Sequence, residues 1–266
     1  MKISKQKMTE FLKKVNMNGD LQEAIFNFTE TGLKISGKNA AGVTRVDGML
    51  KSAAFEEYNA LGKIGVQEIN TVIRIMSGFN KIIDVKVEGN LLSLKEGGKK
   101  VDIELLDVQF IEEVQALPPL EFDENIKIAS KDINDFIKDA SINKEFFISL
   151  STKEKVTMLT NTGKFKFTKT LETVEAKGGV TAKFGAHFIN AVIGLTSDVT
   201  LSLKTDYPIK LVEITEESII SIVTAPVSGN EDAAKSEDVI KGSDEDIDVA
   251  PEEEQVEAEV EEEKVE

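Results

Sequence analysis

Residues 63–77 read Lys63-Ile-Gly-Val-Gln-Glu-Ile-Asn-Thr-Val-Ile-Arg-Ile-Met-Ser77, and residues 183–197 read Lys183-Phe-Gly-Ala-His-Phe-Ile-Asn-Ala-Val-Ile-Gly-Leu-Thr-Ser197. At one constant offset the pairs Lys63/Lys183, Gly65/Gly185, Ile69/Ile189, Asn70/Asn190, Val72/Val192, Ile73/Ile193 and Ser77/Ser197 are identical. Both stretches place apolar residues at helical spacing: Val66, Ile69, Val72, Ile73 and Met76 in the first, Ala186, Ile189, Val192 and Ile193 in the second. The opposite stripe is polar or small, with Gln67, Asn70, Thr71 and Arg74 answered by His187, Asn190, Ala191 and Gly194. The pattern predicts two amphipathic helices, each with one face for a core and one that meets something else. It also predicts a duplicated domain, which governs how the rest of the chain is read.

A second correspondence lies upstream of each copy. Ser4 stands as a cap before Met8, Phe11, Leu12 and Val15; Ser130 stands before Ile133, Phe136, Ile137 and Ala140. The apolar spacing is the same, and lysines (Lys5, Lys13, Lys14; Lys131, Lys138) lie outside both stripes. Between the paired helices of each unit, and again after the second, run short alternating segments. They include Ala24–Phe28, Gly32–Ile35, Ile82–Val87, Leu91–Leu94 and Lys99–Leu106, then Phe146–Leu150, Val156–Leu159, Val199–Leu203, Ile209–Ile214 and Ile219–Thr224. Turn residues such as Gly89-Asn90 punctuate them, as antiparallel hairpins require. The predicted fold class is α+β: two tandem similar domains, each an antiparallel sheet with two helices on one face.

The domains are read as 1–107 and 123–228, joined by 108–122, with a tail over 229–266. The joining segment is apolar where a linker is ordinarily polar: it holds Val108, Phe110, Ile111, Val114, Leu117 and Leu120, with Pro118-Pro119 favouring an extended course. It is expected to cross the sheets and pack down, leaving an apolar pocket beside it for a partner peptide.

The net charge of −16 sits almost wholly in the tail. From Gly229 onward there are 17 acidic residues against Lys235, Lys241 and Lys264, giving 3 − 17 = −14; the remainder has 48 − 17 = 31 acids against 32 − 3 = 29 bases, or −2. A nearly neutral body can still gather lysines on one surface, so the overall acidity does not argue against nucleic acid. The tail lacks aromatics and is predicted to be disordered. With no cysteine, disulfides and thiolate-bound zinc are excluded. No apolar run is long enough to span a bilayer, and the N-terminus lacks the apolar segment of a signal peptide, so no membrane association and a cytoplasmic setting are expected.

Enzymatic chemistry has little to hold. The sole histidine, His187, is answered by Gln67 in the other copy, and there is no phosphate-binding glycine loop, nucleophile elbow or metal-ligand spacing. No catalytic residue, metal or cofactor is expected.

Residues Thr200 to Leu211, followed by Ile222-Val-Thr-Ala-Pro226, resemble the closing segment of the sliding clamps of the archaeal and eukaryotic PCNA family. The run Phe26 to Ile35, Phe55 and the helix Gly65 to Ser77 fall in the family's order, and the likeness covers residues 1 to about 228. The resemblance implies the DNA-clamp fold. It implies a processivity factor whose subunits close head to tail, helices inside and sheet outside, around sequence-independently bound duplex DNA, with polymerase, clamp loader, ligase and nuclease docking outside through short hydrophobic peptide motifs. By resemblance Arg74, Lys138 and Lys183, and less securely aligned Lys13 and Lys14, face the DNA. One departure is Gly194 where the repeat has Arg74, which makes that part of the wall weakly positive. The subunit interface maps to 99–107 and 163–171, with Val101, Ile103 and Leu105 against Phe165, Phe167 and Lys169. The peptide pocket maps to Val43, Val46, Leu117, Pro118, Phe122, Pro208, Ala225, Pro226 and Val227, with Arg45 where the family usually has an aliphatic residue. A homotrimer is implied, or one subunit of a heterotrimer, placed in an archaeal cytoplasm with the nucleoid or in a eukaryotic nucleus. Two rival readings are a non-ring DNA-tethering or checkpoint-type relative of the same fold, and an unrelated α+β hydrolase.

Overall fold

A computed structural model describes residues 1–141, 147–161, 166–176 and 178–227; the expectation of a disordered tail over 229–266 lies outside them. The first half runs β1 (Lys2–Ser4), α1 (Lys5–Asn16), β2 (Ala24–Thr29), β3 (Gly32–Lys38), β4 (Thr44–Lys51), β5 (Phe55–Glu57), β6 (Gly62–Val66), α2 (Ile69–Ser77), β7 (Ile82–Glu88), β8 (Leu91–Glu96) and β9 (Lys99–Glu104). The second runs β10 (Glu124–Ile128), α3 (Ser130–Ser141), β11 (Ile148–Ser151), β12 (Lys155–Asn161), β13 (Lys166–Glu175), β14 (Thr181–Phe184), α4 (Ala186–Ile193), β15 (Val199–Leu203), β16 (Ile209–Ile214) and β17 (Ser218–Thr224). The α+β class expected from the residues is what the chain adopts.

Alternation along each strand places one face inward. In β4 the pattern buries Thr44, Val46, Gly48 and Leu50, and in β17 it buries Ser218, Ile220, Ile222 and Thr224. The helices cover that face with the stripes read from the sequence: Met8, Phe11, Leu12 and Val15 in α1, and Ile133, Phe136, Ile137 and Ala140 in α3, are all buried. Ser4 precedes α1 but makes no capping hydrogen bond through its side chain.

The strands form three antiparallel sheets ordered β5-β1-β7-β8-β9, β10-β15-β16-β17-β4-β3-β2-β6 and β13-β12-β11-β14. The middle sheet joins the halves of the chain, because β17 pairs with β4 from Ser218 opposite Leu50 to Thr224 opposite Thr44. Gly48 is required at this seam: a Cβ there would lie 2.6 Å from Val15 Cγ2, so α1 lies directly on the backbone. Both α1 and α4 rest on β4 and β17, with α2 beside α1 and α3 beside α4. The four helices therefore stand in a row, in the order α2, α1, α4, α3.

Candidate DNA-facing wall, docking groove and free edges

In α2 the buried residues are Ile69, Val72, Ile73 and Met76, as expected. In α4 they are Phe188, Ala191 and Val192, with Leu195 just beyond, while Ile193 is 45% exposed. The second stripe is thus rotated by one residue from the one expected, and Ile189 and Ile193 do not reproduce the burial of Ile69 and Ile73. The cause is local: Val66 and Phe184 end equivalent strands, opposite Ala24 and Ile148, but the first buried helix residue is the third after Val66 (Ile69) and the fourth after Phe184 (Phe188), so the buried stripe of α4 starts one residue later relative to its strand. Arg74 is therefore answered by Ile193 and not by Gly194. Lys63, Gly65 and Val66 belong to β6, and Lys183 to β14, so the helices are shorter than their periodicity suggested.

Asn190, expected on the exposed stripe, is buried. Its amide donates to Asp20 Oδ1 at 3.1 Å, and His187 Nδ1 lies 2.7 Å from Asp20 Oδ2. The histidine thus helps hold α4 to the turn following α1.

The basic residues divide. Lys13, Arg74 and Lys138 are exposed on α1, α2 and α3. Lys13 and Lys138 occupy the same position in their helices, each two residues beyond the equivalent Phe11 and Phe136. Lys14 corrects the expected set: it is 6% exposed, and its Nζ lies 2.6 Å from Glu213 Oε2. Glu213, 1% exposed, also accepts from the backbone N–H groups of Thr196 at 2.8 Å and Ser197 at 2.7 Å. A buried cation whose partner is satisfied in this way ties α1 to the loop after α4 and has no charge to offer outward. Lys183 is a second correction. Strand alternation sends Ala182 and Phe184 under the helices and Lys183 to the opposite face, where its Nζ lies 4.3 Å from the centre of the Phe147 ring.

On the outer face, the 108–122 segment crosses the middle sheet but packs down less than expected. Ile111 is buried, whereas Phe110 and Leu117 are 69% and 42% exposed. Ion pairs hold it instead: Lys38 to Glu112 at 2.6 Å and Lys63 to Glu113 at 2.7 Å, with Arg45 donating to the Gln115 carbonyl. Between this segment and the seam lies a groove of about 310 Å³, lined by Leu117, Pro118, Phe122, Lys210 and Val223 with Arg45 and Asp47 among its polar groups. Arg45 does not project as a free cation, because its guanidinium is paired with both carboxylate oxygens of Asp47 at 2.7 and 2.8 Å. Phe122 stacks edge-on against Tyr207, 6.0 Å between ring centres, beside the half-buried Pro208. Val46 corrects the pocket set: it is fully buried, facing the helices. Val43, Pro208, Ala225, Pro226 and Val227 lie outside the groove lining. The last three form a strap, with Ala225 N–H donating to the Val43 carbonyl and Val227 N–H to the Lys183 carbonyl. Lys210 and Val223 were missed by sequence reading; alternation along β16 and β17 was the signal that could have found them.

One outer sheet ends in β5 and β9 and the other in β13 and β14; β9 and β13 are each paired on one side only. Val101, Ile103, Leu105, Phe167 and Lys169 are half-buried beside the core, although Leu105 falls just past β9. Phe167 lies 5.4 Å from Phe136, and Lys169 reaches Asp132 Oδ1 at 3.0 Å. Phe165 lies outside the described residues.

The chain is 24% identical over 230 residues to a DNA polymerase sliding clamp of Thermococcus gammatolerans, covering 77% of this chain and 89% of that one. A clamp of Methanococcoides burtonii is also 24% identical, over 203 residues, covering 72% and 82%. Among solved structures, the proliferating cell nuclear antigen of Entamoeba histolytica superposes with a TM-score of 0.73 at 21% identity, covering 85% of this chain and 97% of that one. The A. fulgidus PCNA bound to a C-terminal region of FEN-1 gives 0.74 at 21%, covering 86% and 98%. A PCNA2–PCNA3 complex from Sulfolobus tokodaii gives 0.71 at 19%, covering 85% and 99%. No family sequence profile matches.

Proposed function

We infer that this chain belongs to the PCNA-type sliding clamps and forms one subunit of a ring around duplex DNA, acting as a processivity factor that tethers DNA polymerase and other replication and repair enzymes. One observation carries the reading: β9 and β13, each with one edge left unpaired in a single chain, are the counterparts of β17 and β4, which pair inside it. Each module thus offers one half of a junction that the chain already knows how to make. Head-to-tail repetition of such a contact generates a closed ring when the rotations sum to a full turn, and three chains in the ring is the arrangement the family likeness favours.

The row of helices would form the inner wall. Lys13, Arg74 and Lys138 supply a sparse positive lining that attracts phosphates without reading base edges, which is what sliding requires. The outer groove at Leu117, Pro118 and Phe122 suits an extended peptide with hydrophobic and aromatic anchors, of the kind a clamp loader, polymerase, ligase or nuclease would present. Light scattering on the full chain should give the mass of three chains. Protein loaded onto a nicked circle should stay bound through gel filtration and fall away once the circle is cut open. A single-chain mass, or equal retention on circular and linear DNA, would overturn the ring in favour of a non-ring tether.

A further inference from the structure

We propose that the contact between copies repeats, residue for residue, the β17–β4 junction inside the chain, and that it is the weaker of the two because Asp139 and Glu96 meet where Lys14 and Glu213 pair. The proposal rests on the ring reading and assigns its contact register and charge.

The register follows from internal equivalence. Ile83 faces Glu96 by extension of the β7–β8 ladder, as Val199 faces Glu213 in β15–β16. Leu94 faces Val101 as Leu211 faces Ile222. On the other side, Ile35 faces Gly48 as Met158 faces Lys169, and Leu33 faces Leu50 as Val156 faces Leu171. Burial agrees, since Ile83, Val199, Ile35, Met158, Leu33 and Val156 are all core residues. Inside the chain Ile222 lies opposite Val46 and Val223 opposite Arg45. Between copies, then, Val101 lies opposite Phe167 of the next chain and Asp102 opposite its Lys166. The apolar pair closes the helix-covered side, and the ion pair closes the outer side.

The same equivalence exposes a difference. Phe11 and Phe136 correspond, so Lys14 corresponds to Asp139, which is exposed on α3. Glu96 corresponds to Glu213 in position and in its contacts: it accepts from the N–H groups of Asn80 and Lys81, each at 2.7 Å, as Glu213 accepts from Thr196 and Ser197. Across copies the cation is missing, and two carboxylates face each other where the internal junction has a buried ion pair. Like charges brought together at a forming interface oppose it. The ring therefore holds a built-in preferred point of opening at each contact between copies, and its partner is a second copy of this chain held in part by Asp102 and Lys166.

Concentration series of the full chain, followed by light scattering, test this. Asp139→Lys restores the internal arrangement between copies and should lower the dissociation midpoint by about tenfold or more, given the coupling of close interfacial charge pairs; an unchanged limiting mass distinguishes this tightening from aggregation of a misfolded variant. Asp102→Lys and Lys166→Asp should each raise the midpoint, and together recover it. Because the chain has no cysteine, Val101→Cys with Phe167→Cys should oxidise to disulfide-linked multimers, whereas Val101→Cys with Leu171→Cys should not. If the wild type assembles but Asp139→Lys does not tighten it, or the charge swap does not recover, the register is overturned while the ring stands. If neither wild type nor Asp139→Lys associates, both fall.

Discussion

At the scale of single residues, two glutamates do the same task in different surroundings. Glu213 and Glu96 each hold the loop that follows the second helix of a module through a pair of backbone N–H donors. Glu213 is buried and needs Lys14. Replacing Lys14 by Met strands a buried carboxylate, and urea unfolding should show a loss of roughly 3 kcal/mol. Adding Glu213→Gln to that variant should recover part of the loss, because a neutral amide oxygen still accepts from Thr196 and Ser197. Glu96 is half-buried, and its two backbone donors, led by Asn80, hold its carboxyl below the ordinary value of 4.5. Its folded pKa lies below its unfolded one, so its contribution is present above about that value and lost as pH falls through the folded pKa. Glu96→Gln should therefore flatten the acid side of the stability curve below about pH 4.5 and leave its shape at pH 8 unchanged.

At the scale of elements, the apolar stripes of α1, α2 and α3 were legible because helical periodicity and burial report the same thing. The stripe of α4 was not. Identities at a constant offset paired Ile73 with Ile193, yet the buried stripe of α4 starts one residue farther from β14 than that of α2 does from β6, so that Val192 takes the buried place. Single-sequence matching cannot see such a slip when both neighbours are apolar. Lys14 and Lys183 were illegible for a related reason: a lysine's charge says nothing about whether a carboxylate from a distant strand will cover it, or which face of a strand it leaves. The joining segment was recognised by its composition, but its attachment through Glu112 and Glu113 to strand lysines was not foreseeable without the sheet. That attachment leaves Leu117 exposed at the groove mouth. Leu117→Ala should weaken binding of a peptide with hydrophobic anchors by ~1–2 kcal/mol in calorimetry, the cost of a buried side chain truncated at an interface, while assembly and thermal unfolding stay unchanged.

At the scale of the whole molecule, charge is the organising quantity. Residues 1–228 carry 29 − 31 = −2, and residues 229–266 carry 3 − 17 = −14. The body carries exposed Lys13, Arg74 and Lys138 on its helices, and the tail follows in sequence a strap tied to Val43 and Lys183. An acidic segment of that density repels phosphate within about a Debye length, roughly 8 Å at physiological salt, and more widely at low salt. On the proposed function, a chain that meets DNA through its helices gains discrimination if its outer face disfavours DNA. Removing residues 229–266 should therefore raise non-specific affinity for linear duplex several-fold at low salt, with the difference vanishing as salt rises, because the tail acts through screened repulsion and not through contacts. Mass in solution and unfolding should be unchanged, since the seam, the helices and both free edges lie in the body. Filter binding of the full and shortened chains across a salt series decides it: parallel curves would show that the tail bears on solubility alone, and curves that converge at high salt would show that it guards the outer face.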